Sequence, residues 1–294
     1  MRIRPWRDLA TGLAFLSPWL AGFVGLLLVP IGLSFYYSLC DYSLLQPPLY
    51  VGLDNYRDLL ADEVFWKSLG NTAYYAAMAL PGGLLVSLGL ALALNVRTAG
   101  QSVYRTIVFL PSLVPVVASA MVWLWLFNAK LGLINSVLAM AGVEGPGWLT
   151  DPRWAMPALA IMSLWGVGHT VVIYLAGLQD VPVELYEAAA MDGAGPWRRL
   201  WHVTLPLLSP VIFFNLVMAI IQALQVFTIP YIMTPGGNPA RATYFYTMYL
   251  YDNAFTYPKM GYASAMAWIQ LAIILALTAL AFWSARKWVH YQGQ

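Results

Sequence analysis

Charge is what this chain of 294 residues has least of: Asp, Glu, Lys and Arg make up 10% of it, against 61% hydrophobic residues. A soluble domain carries about 25% charged residues. A chain this poor in them could not cover its surface with polar groups in water, so the sequence reads as an integral membrane protein. Cysteine is nearly absent as well. The single Cys40 cannot form an intrachain disulfide, so there is no disulfide framework and the redox compartment is left open. An excess of one sign is also missing, since 15 Lys and Arg against 13 Asp and Glu leave a net charge of +2. That is too small to suggest a nucleic-acid surface. No GxxxxGKS or GxxxxGKT phosphate loop occurs, which excludes ATP hydrolysis by this chain alone.

What the chain does have is six long intervals without charge: Leu9 to Cys40, Ser68 to Val96, Thr106 to Ala129, Trp154 to Gln179, Val203 to Ala240 and Met260 to Ala285. Crossing the hydrocarbon core takes about 20 apolar residues in a helix. The expected fold is therefore an all-α membrane protein of six transmembrane helices, near 9–39, 69–95, 106–128, 155–178, 206–233 and 261–285, in a single domain over 1–294. The fifth interval is long because Thr234 to Ala240 is a Pro/Gly-rich loop. Leu131 to Val143 is uncharged but too short to span, and reads as an interfacial or re-entrant segment. Arg2, Arg4 and Arg7 resemble the basic start of a signal peptide. The apolar run behind them is far longer than a signal core and lacks a small-residue cleavage site, so it reads as an anchor.

An even number of spans puts both termini on one side. That side holds Arg2, Arg4, Arg7, Arg97, Arg105, Arg198, Arg199, Arg286 and Lys287, against Arg57, Lys67, Lys130, Arg153, Arg241 and Lys259 on the other. The excess places the termini in the cytoplasm of a cell with an inner membrane to cross.

No Asp, Glu, Lys or Arg lies inside the six spans. Ion-driven carriers usually keep an ionisable group at depth despite its cost, so a secondary carrier is disfavoured. An intramembrane enzyme would need a buried acid, base or nucleophile pair. Ser163 and His169 share the fourth span, but six residues at 100° each set them on opposed faces of a helix.

One cytoplasmic connection is too regular for a plain loop. In residues 180–206, Pro182 suits a first helical turn and Glu184 and Glu187 sit near the positive helix end. Leu185, Ala188, Ala189 and Met191 supply a small apolar face. Gly193, with Gly195 and Pro196, stops the helix. A second short helix is expected from about Trp197, with Pro206 starting the fifth span. Held between two membrane helices, such a segment can dock on a cytoplasmic partner and transmit force; the plainer reading is a solvated helical connector.

The spacing Glu187-Ala188-Ala189, three residues, Gly193, nine residues, Val203, one residue, Leu205-Pro206 resembles the EAA motif of ATP-binding-cassette importer permeases, with Val203 where isoleucine is usual. Phe15 to Leu20, Val51 to Tyr56, Asn71-Thr72, Phe109 to Ser112, Ala176 to Gln179 and Thr234 to Gly237 resemble the sugar branch of that family, of the maltose and glycerol phosphate type. Pro235 and Asn238 depart from its usual Gly-Gly-Gly-Pro. The resemblance covers nearly the whole chain. It implies a type I permease fold with a coupling helix between the fourth and fifth spans. The partners it implies are a second permease (a distinct homologue), a dimeric ATPase, an extracytoplasmic solute-binding protein and a small-molecule sugar. ATP and magnesium would be bound by the ATPase, leaving this chain without cofactor or catalytic residue. The coupling residues would be Glu187, Ala188, Ala189, Asp192, Gly193 and Ala194, with Glu187 the polar contact and Gly193 the turn.

Sugars are held by aromatic faces and by amides or hydroxyls in a mostly apolar site. The fourth and fifth spans carry such groups. Trp165 and His169, four apart, are expected to share a face with Thr170 nearby. Gln222 and Gln225, three apart, are expected to share another, with Phe227 close. Glutamines at depth are costly facing lipid, so they should meet a partner helix or the solute pathway. With only His169 available as a cation, a neutral sugar is preferred over glycerol phosphate.

Overall fold

The computed structural model describes residues 5–96 and 98–290. Arg2, Arg4 and Arg97 of the charge count lie outside the described residues. The chain divides into two compact units, one of residues 1–62 with 250–271 and the other of 63–249 with 272–294.

In the first unit, α1 (Pro5–Gly22), a π-helical turn (Phe23–Leu28) and α2 (Val29–Ser38) form one helical run. Its most apolar stretch, within Leu9–Ser38, carries no buried residue. A two-residue strand β1 (Cys40–Asp41) then pairs antiparallel with β2 (Leu49–Tyr50), Cys40 opposite Tyr50. Next comes α3 (Asp54–Ala61). The Asn55 amide donates to the carbonyls of Ser38 and Cys40, each at 2.9 Å, and the Tyr56 hydroxyl donates to Ser38 Oγ at 2.8 Å. The Ser38 carbonyl is one that the end of α2 leaves without a helical partner, and these bonds tie α3 to that end.

The second unit begins with α4 (Glu63–Asn95), α5 (Gln101–Phe109), a 3-10 turn (Leu110–Leu113) and α6 (Val116–Leu126). It continues with α7 (Leu133–Met140), α8 (Pro152–Trp165), α9 (Gly168–Gln179), α10 (Val183–Met191) and α11 (Pro196–Arg199). A π turn (Leu200–Thr204) leads into α12 (Leu205–Leu224), followed by α13 (Thr228–Met233). After α14 (Tyr246–Tyr251) and a further π turn (Asp252–Thr256), α15 (Met260–Ala285) contributes to both units.

Among the described residues four helical runs are long and apolar enough to cross a membrane unbroken: Leu9–Ser38, Glu63–Asn95, Pro196–Met233 and Met260–Ala285. The segments expected as the third and fourth spans are bent. Gln101–Leu113 meets Val116–Leu126 at 98°, and Pro152–Trp165 meets Gly168–Gln179 at 49°. Proline causes the first bend. Pro115 has no N–H for the carbonyl of Pro111, and its ring forces Val114 out of the helical region, to ψ 130°. The second break falls at Gly166 and Val167. Gly168 lets the two broken segments meet: a Cβ there would lie 2.8 Å from Ser112 Oγ and 3.0 Å from Phe109 Cα and the Val108 carbonyl oxygen.

The three π turns share a cause. Each ends two residues before a proline, Pro30, Pro206 and Pro258. In α geometry the proline ring would strike the carbonyl four residues back; that carbonyl, of Leu26, His202 or Ala254, lies within the widened turn each time. This corrects one expectation. Pro206 does not begin the fifth membrane helix, because the π turn carries helix through it, and the residues expected as a separate short helix from Trp197 are the start of the same run.

Among the described residues three apolar clusters hold the second unit, and the two larger ones frame the site. One gathers Tyr75, Phe127, Trp148, Met156, Leu159 and Phe245; the other joins Ala91 of α4 to Val171, Tyr174 and Leu175 of α9 and Leu208 of α12. The uncharged 131–143 segment forms α7, pinned by buried Asn135. That side chain donates to the carbonyls of Ala129 (3.0 Å) and Pro146 (3.1 Å) and accepts from Trp148 Nε1 at 2.6 Å. Asn71 donates to the carbonyls of Arg241 (2.8 Å) and Tyr244 (3.1 Å), while Thr72 Oγ1 accepts from the Tyr246 N–H at 2.9 Å. A dipeptide near the start of α4 thus fixes a loop some 170 residues away.

Gly168→Val should force these backbones apart and cost about 1–3 kcal/mol. A melting temperature unchanged from wild type in detergent would contradict the close approach.

Candidate functional site

Two features stand out, an exposed elbow and a polar-lined cavity. In the elbow, α10 follows Pro182 at its N-cap, with Glu184 in the first turn, where the helix dipole favours an acid. It ends in a complete C-terminal cap. The Gly193 N–H bonds the Ala190 carbonyl at 3.0 Å and the Ala194 N–H bonds the Ala189 carbonyl at 2.8 Å, with Gly193 in the left-handed region at φ 75°. This is the pairing pattern of a Schellman turn, which glycine enters without strain. The elbow is tied down by a 3.0 Å hydrogen bond between the Tyr186 and Thr204 hydroxyls, joining α10 to the π turn that opens the next membrane helix.

α10 buries none of its residues in the chain. Glu187, Ala188, Asp192 and Gly193 are exposed, and Ala189 and Ala194 are half-buried. Met191 is 85% exposed and Trp197 is 74% exposed. Large apolar side chains so far out of the fold can be buried only against another body.

The cavity, of about 630 Å³, opens within the second unit between α4, α8, α9 and α12. His169, Thr170 and Gln222 line it, as do Tyr75, Ser163 and Asn215. Trp165, Gln225 and Phe227 do not. Trp165 lies at the end of α8 and meets Trp123 edge-on at 6.3 Å. α12 stops at Leu224, so Gln225 sits beyond the helix that carries Gln222 and the two share no helical face. Phe227 stacks on Tyr231 at 4.9 Å. The break at Gly166 and Val167 has the same effect on α8 and α9: Trp165 and His169 belong to different helices. Ser163 and His169, opposed on a straight helix, line one cavity.

Asn215 was legible in principle, because it stands seven residues before Gln222, two turns along one face. It donates to the Val211 carbonyl at 3.0 Å and interacts with Tyr174. Tyr75, which interacts with Ser163, has no local signal. The lining holds no Asp, Glu, Lys or Arg, and His169 is its one histidine. Among the described residues no three His, Cys, Asp or Glu side chains converge to hold a metal ion.

Residues 85–290 match the family described as the binding-protein-dependent transport system inner membrane component. The chain belongs to that family. As an inner membrane component with long apolar helices, it is an integral membrane permease subunit. It is 39% identical over 292 residues to the probable ABC transporter permease protein YesP of Bacillus subtilis (strain 168), covering 98% of this chain and 94% of that one. It is 34% identical over 275 residues to the trehalose/maltose transport system permease protein MalF of Thermococcus litoralis, covering 93% and 92%. The fold matches a chain of a bacterial ABC transporter involved in the import of the acidic polysaccharide alginate. There the TM-score is 0.82 at 26% identity, over 97% of this chain and 99% of that one.

Thr204→Val should remove the hydroxyl tie of the elbow at a cost of about 1 kcal/mol. Amide exchange across residues 183–191 should speed up severalfold while α12 keeps its protection; equal exchange in both proteins would show that the tie does not hold α10.

Proposed function

We propose that this chain is the transmembrane permease subunit of an ATP-driven, binding-protein-dependent sugar importer, one permease domain over 1–294. The observation that carries the reading is the exposed, Schellman-capped α10, set between two membrane helices and bearing the Glu187 to Gly193 spacing. In this reading each bent pair is one span, giving six, with the termini and the elbow in the cytoplasm. Glu187, Ala188, Ala189, Asp192, Gly193 and Ala194 meet a cleft on a separate ATPase dimer, which binds the ATP and magnesium. This chain performs no catalysis. Closure of the ATPase moves the elbow, and the capped helix passes that motion to the long run Pro196–Met233 through Tyr186 and Thr204.

This chain supplies half of the pathway, and a second, homologous permease supplies the rest. The first run supports such a partner, because the most apolar stretch within Leu9–Ser38 buries none of its residues in this chain and has surface to offer another helix. The solute-binding protein delivers the sugar from outside. Within the pathway, His169, Thr170 and Gln222 meet it directly, with Asn215 two turns from Gln222 on α12 and Tyr75 and Ser163 on the walls of α4 and α8. Trp165, Gln225 and Phe227, which do not line the cavity, support its rim.

A sugar is favoured by the hydroxyls and amides of the lining and by the names of the relatives. A phosphorylated or acidic solute would call for a fixed cation, and the cavity offers only His169. The neutral class is therefore preferred over glycerol phosphate, and an ion-driven carrier is disfavoured further.

Reconstituted with its ATPase and binding protein, Glu187→Ala or Gly193→Trp should lower ATP-driven uptake about tenfold, the scale of a lost coupling free energy of roughly 1.4 kcal/mol. A Cβ at Gly193 meets open space, so that variant strains the turn without breaking the fold. Gln222→Ala should lower uptake while leaving basal ATPase activity alone. Unchanged uptake and ATPase stimulation in the two elbow variants, or concentrative uptake by the chain alone on an ion gradient, would overturn the assignment.

A further inference from the structure

A second, smaller cavity of about 230 Å³ lies apart from the pathway, between the end of α4, α5 and α9. Eight of its ten lining residues are apolar, among them Val108, Phe109 and Val172; the exceptions are Arg105 and Gln179. Arg105 is incompletely satisfied. One terminal nitrogen donates to the Leu94 carbonyl at a long 3.4 Å, and its Nε is buried with no hydrogen-bond partner. Among the described residues no carboxylate is within ion-pair distance of Arg105 to neutralise its guanidinium. A buried, unpaired guanidinium N–H is costly anywhere and more so near hydrocarbon. A group with anionic oxygens would relieve it.

We propose that this groove binds an anionic glycerophospholipid, its phosphate on Arg105 and Gln179 and the start of an acyl chain along Val108 and Val172. Charge complementarity selects an anion, since the only charge in the lining is positive. The apolar walls select a lipid over a soluble phosphate, which could not use them. Val172 is half exposed, so an acyl chain can leave along the outside of α9. The groove reaches Gln179, four residues before α10, so an occupant would stiffen the base of the elbow. This goes beyond the transport reading, and its test measures binding rather than uptake, so the two can fail separately.

The full-length chain, purified with the subunits that accompany it, is delipidated. Its melting temperature is then followed on adding phosphatidylglycerol, phosphatidylcholine or inorganic phosphate at equal concentration. Phosphatidylglycerol should raise it by about 5 °C more than phosphatidylcholine, and inorganic phosphate should leave it unmoved. Arg105→Ala should abolish that difference and Arg105→Lys should keep part of it. Should Arg105→Ala fail to fold, Val172→Trp fills the groove while leaving the Arg105 bond to Leu94 in place, and it should abolish the difference equally. Three outcomes would overturn the proposal: no preference for phosphatidylglycerol; a preference that survives both Arg105→Ala and Val172→Trp; or an equal shift with inorganic phosphate.

Discussion

Within about 30 Å of hydrocarbon, an unpaired backbone N–H or C=O costs several kcal/mol, so a crossing chain must close its own hydrogen bonds as helix. Most of this protein's architecture answers to that demand, and its exceptions are where the polar lining of the cavity comes together. Where α8 stops at Trp165 and α9 starts at Gly168, the chain gives up regular pairing for two residues, and Ser163 and His169 reach one cavity as a result. Where α12 stops at Leu224, the Thr247 hydroxyl takes the freed Val226 carbonyl. Before Pro30 and Pro206, where proline removes a donor, the helix widens to a π turn instead of breaking.

The same constraint explains what could be read from the residues alone. Charge-free intervals locate the membrane helices because burying a charge in lipid is so costly that few sequences attempt it. That signal reports where helix runs and is blind to where it bends. The 98° bend was available in the pair Pro111 and Pro115, whose spacing removes one helical bond and excludes Val114 from helical geometry. The 49° bend was not, because Gly166 is one of several glycines at depth and nothing local separates it from Gly89 or Gly177. Inferences that assumed a straight helix failed at these breaks: Trp165 with His169, Gln222 with Gln225, Ser163 against His169. Gly193, by contrast, was legible, because a glycine followed by Gly195 and Pro196 after a small-residue helix has one common use. The role of Asn71 and Thr72 in holding 241–246 was beyond reach, since a long-range contact leaves no trace in local spacing.

The elbow poses a problem of magnitudes. A nine-residue helix is marginal in water on its own, and α10 buries nothing in the chain to compensate. Its cap satisfies two carbonyls and its single hydroxyl tie contributes about 1 kcal/mol. Those terms make the helix form and point, but they cannot keep it rigid under load. Rigidity has to come from the faces it leaves bare. Each fully buried side chain of the size of Met or Val contributes roughly 1.5–3 kcal/mol, and Val183, Met191, Trp197 and Trp201 are all largely exposed. Docking would therefore supply more free energy than everything now ordering the segment. An element so arranged is stiff chiefly when another body covers it. The long helix beyond Thr204 has the opposite character. Leu208, Ser209, Phe213 and Asn215 are buried along α12, so a displacement delivered at its start moves a packed body whose far end carries Gln222 into the cavity.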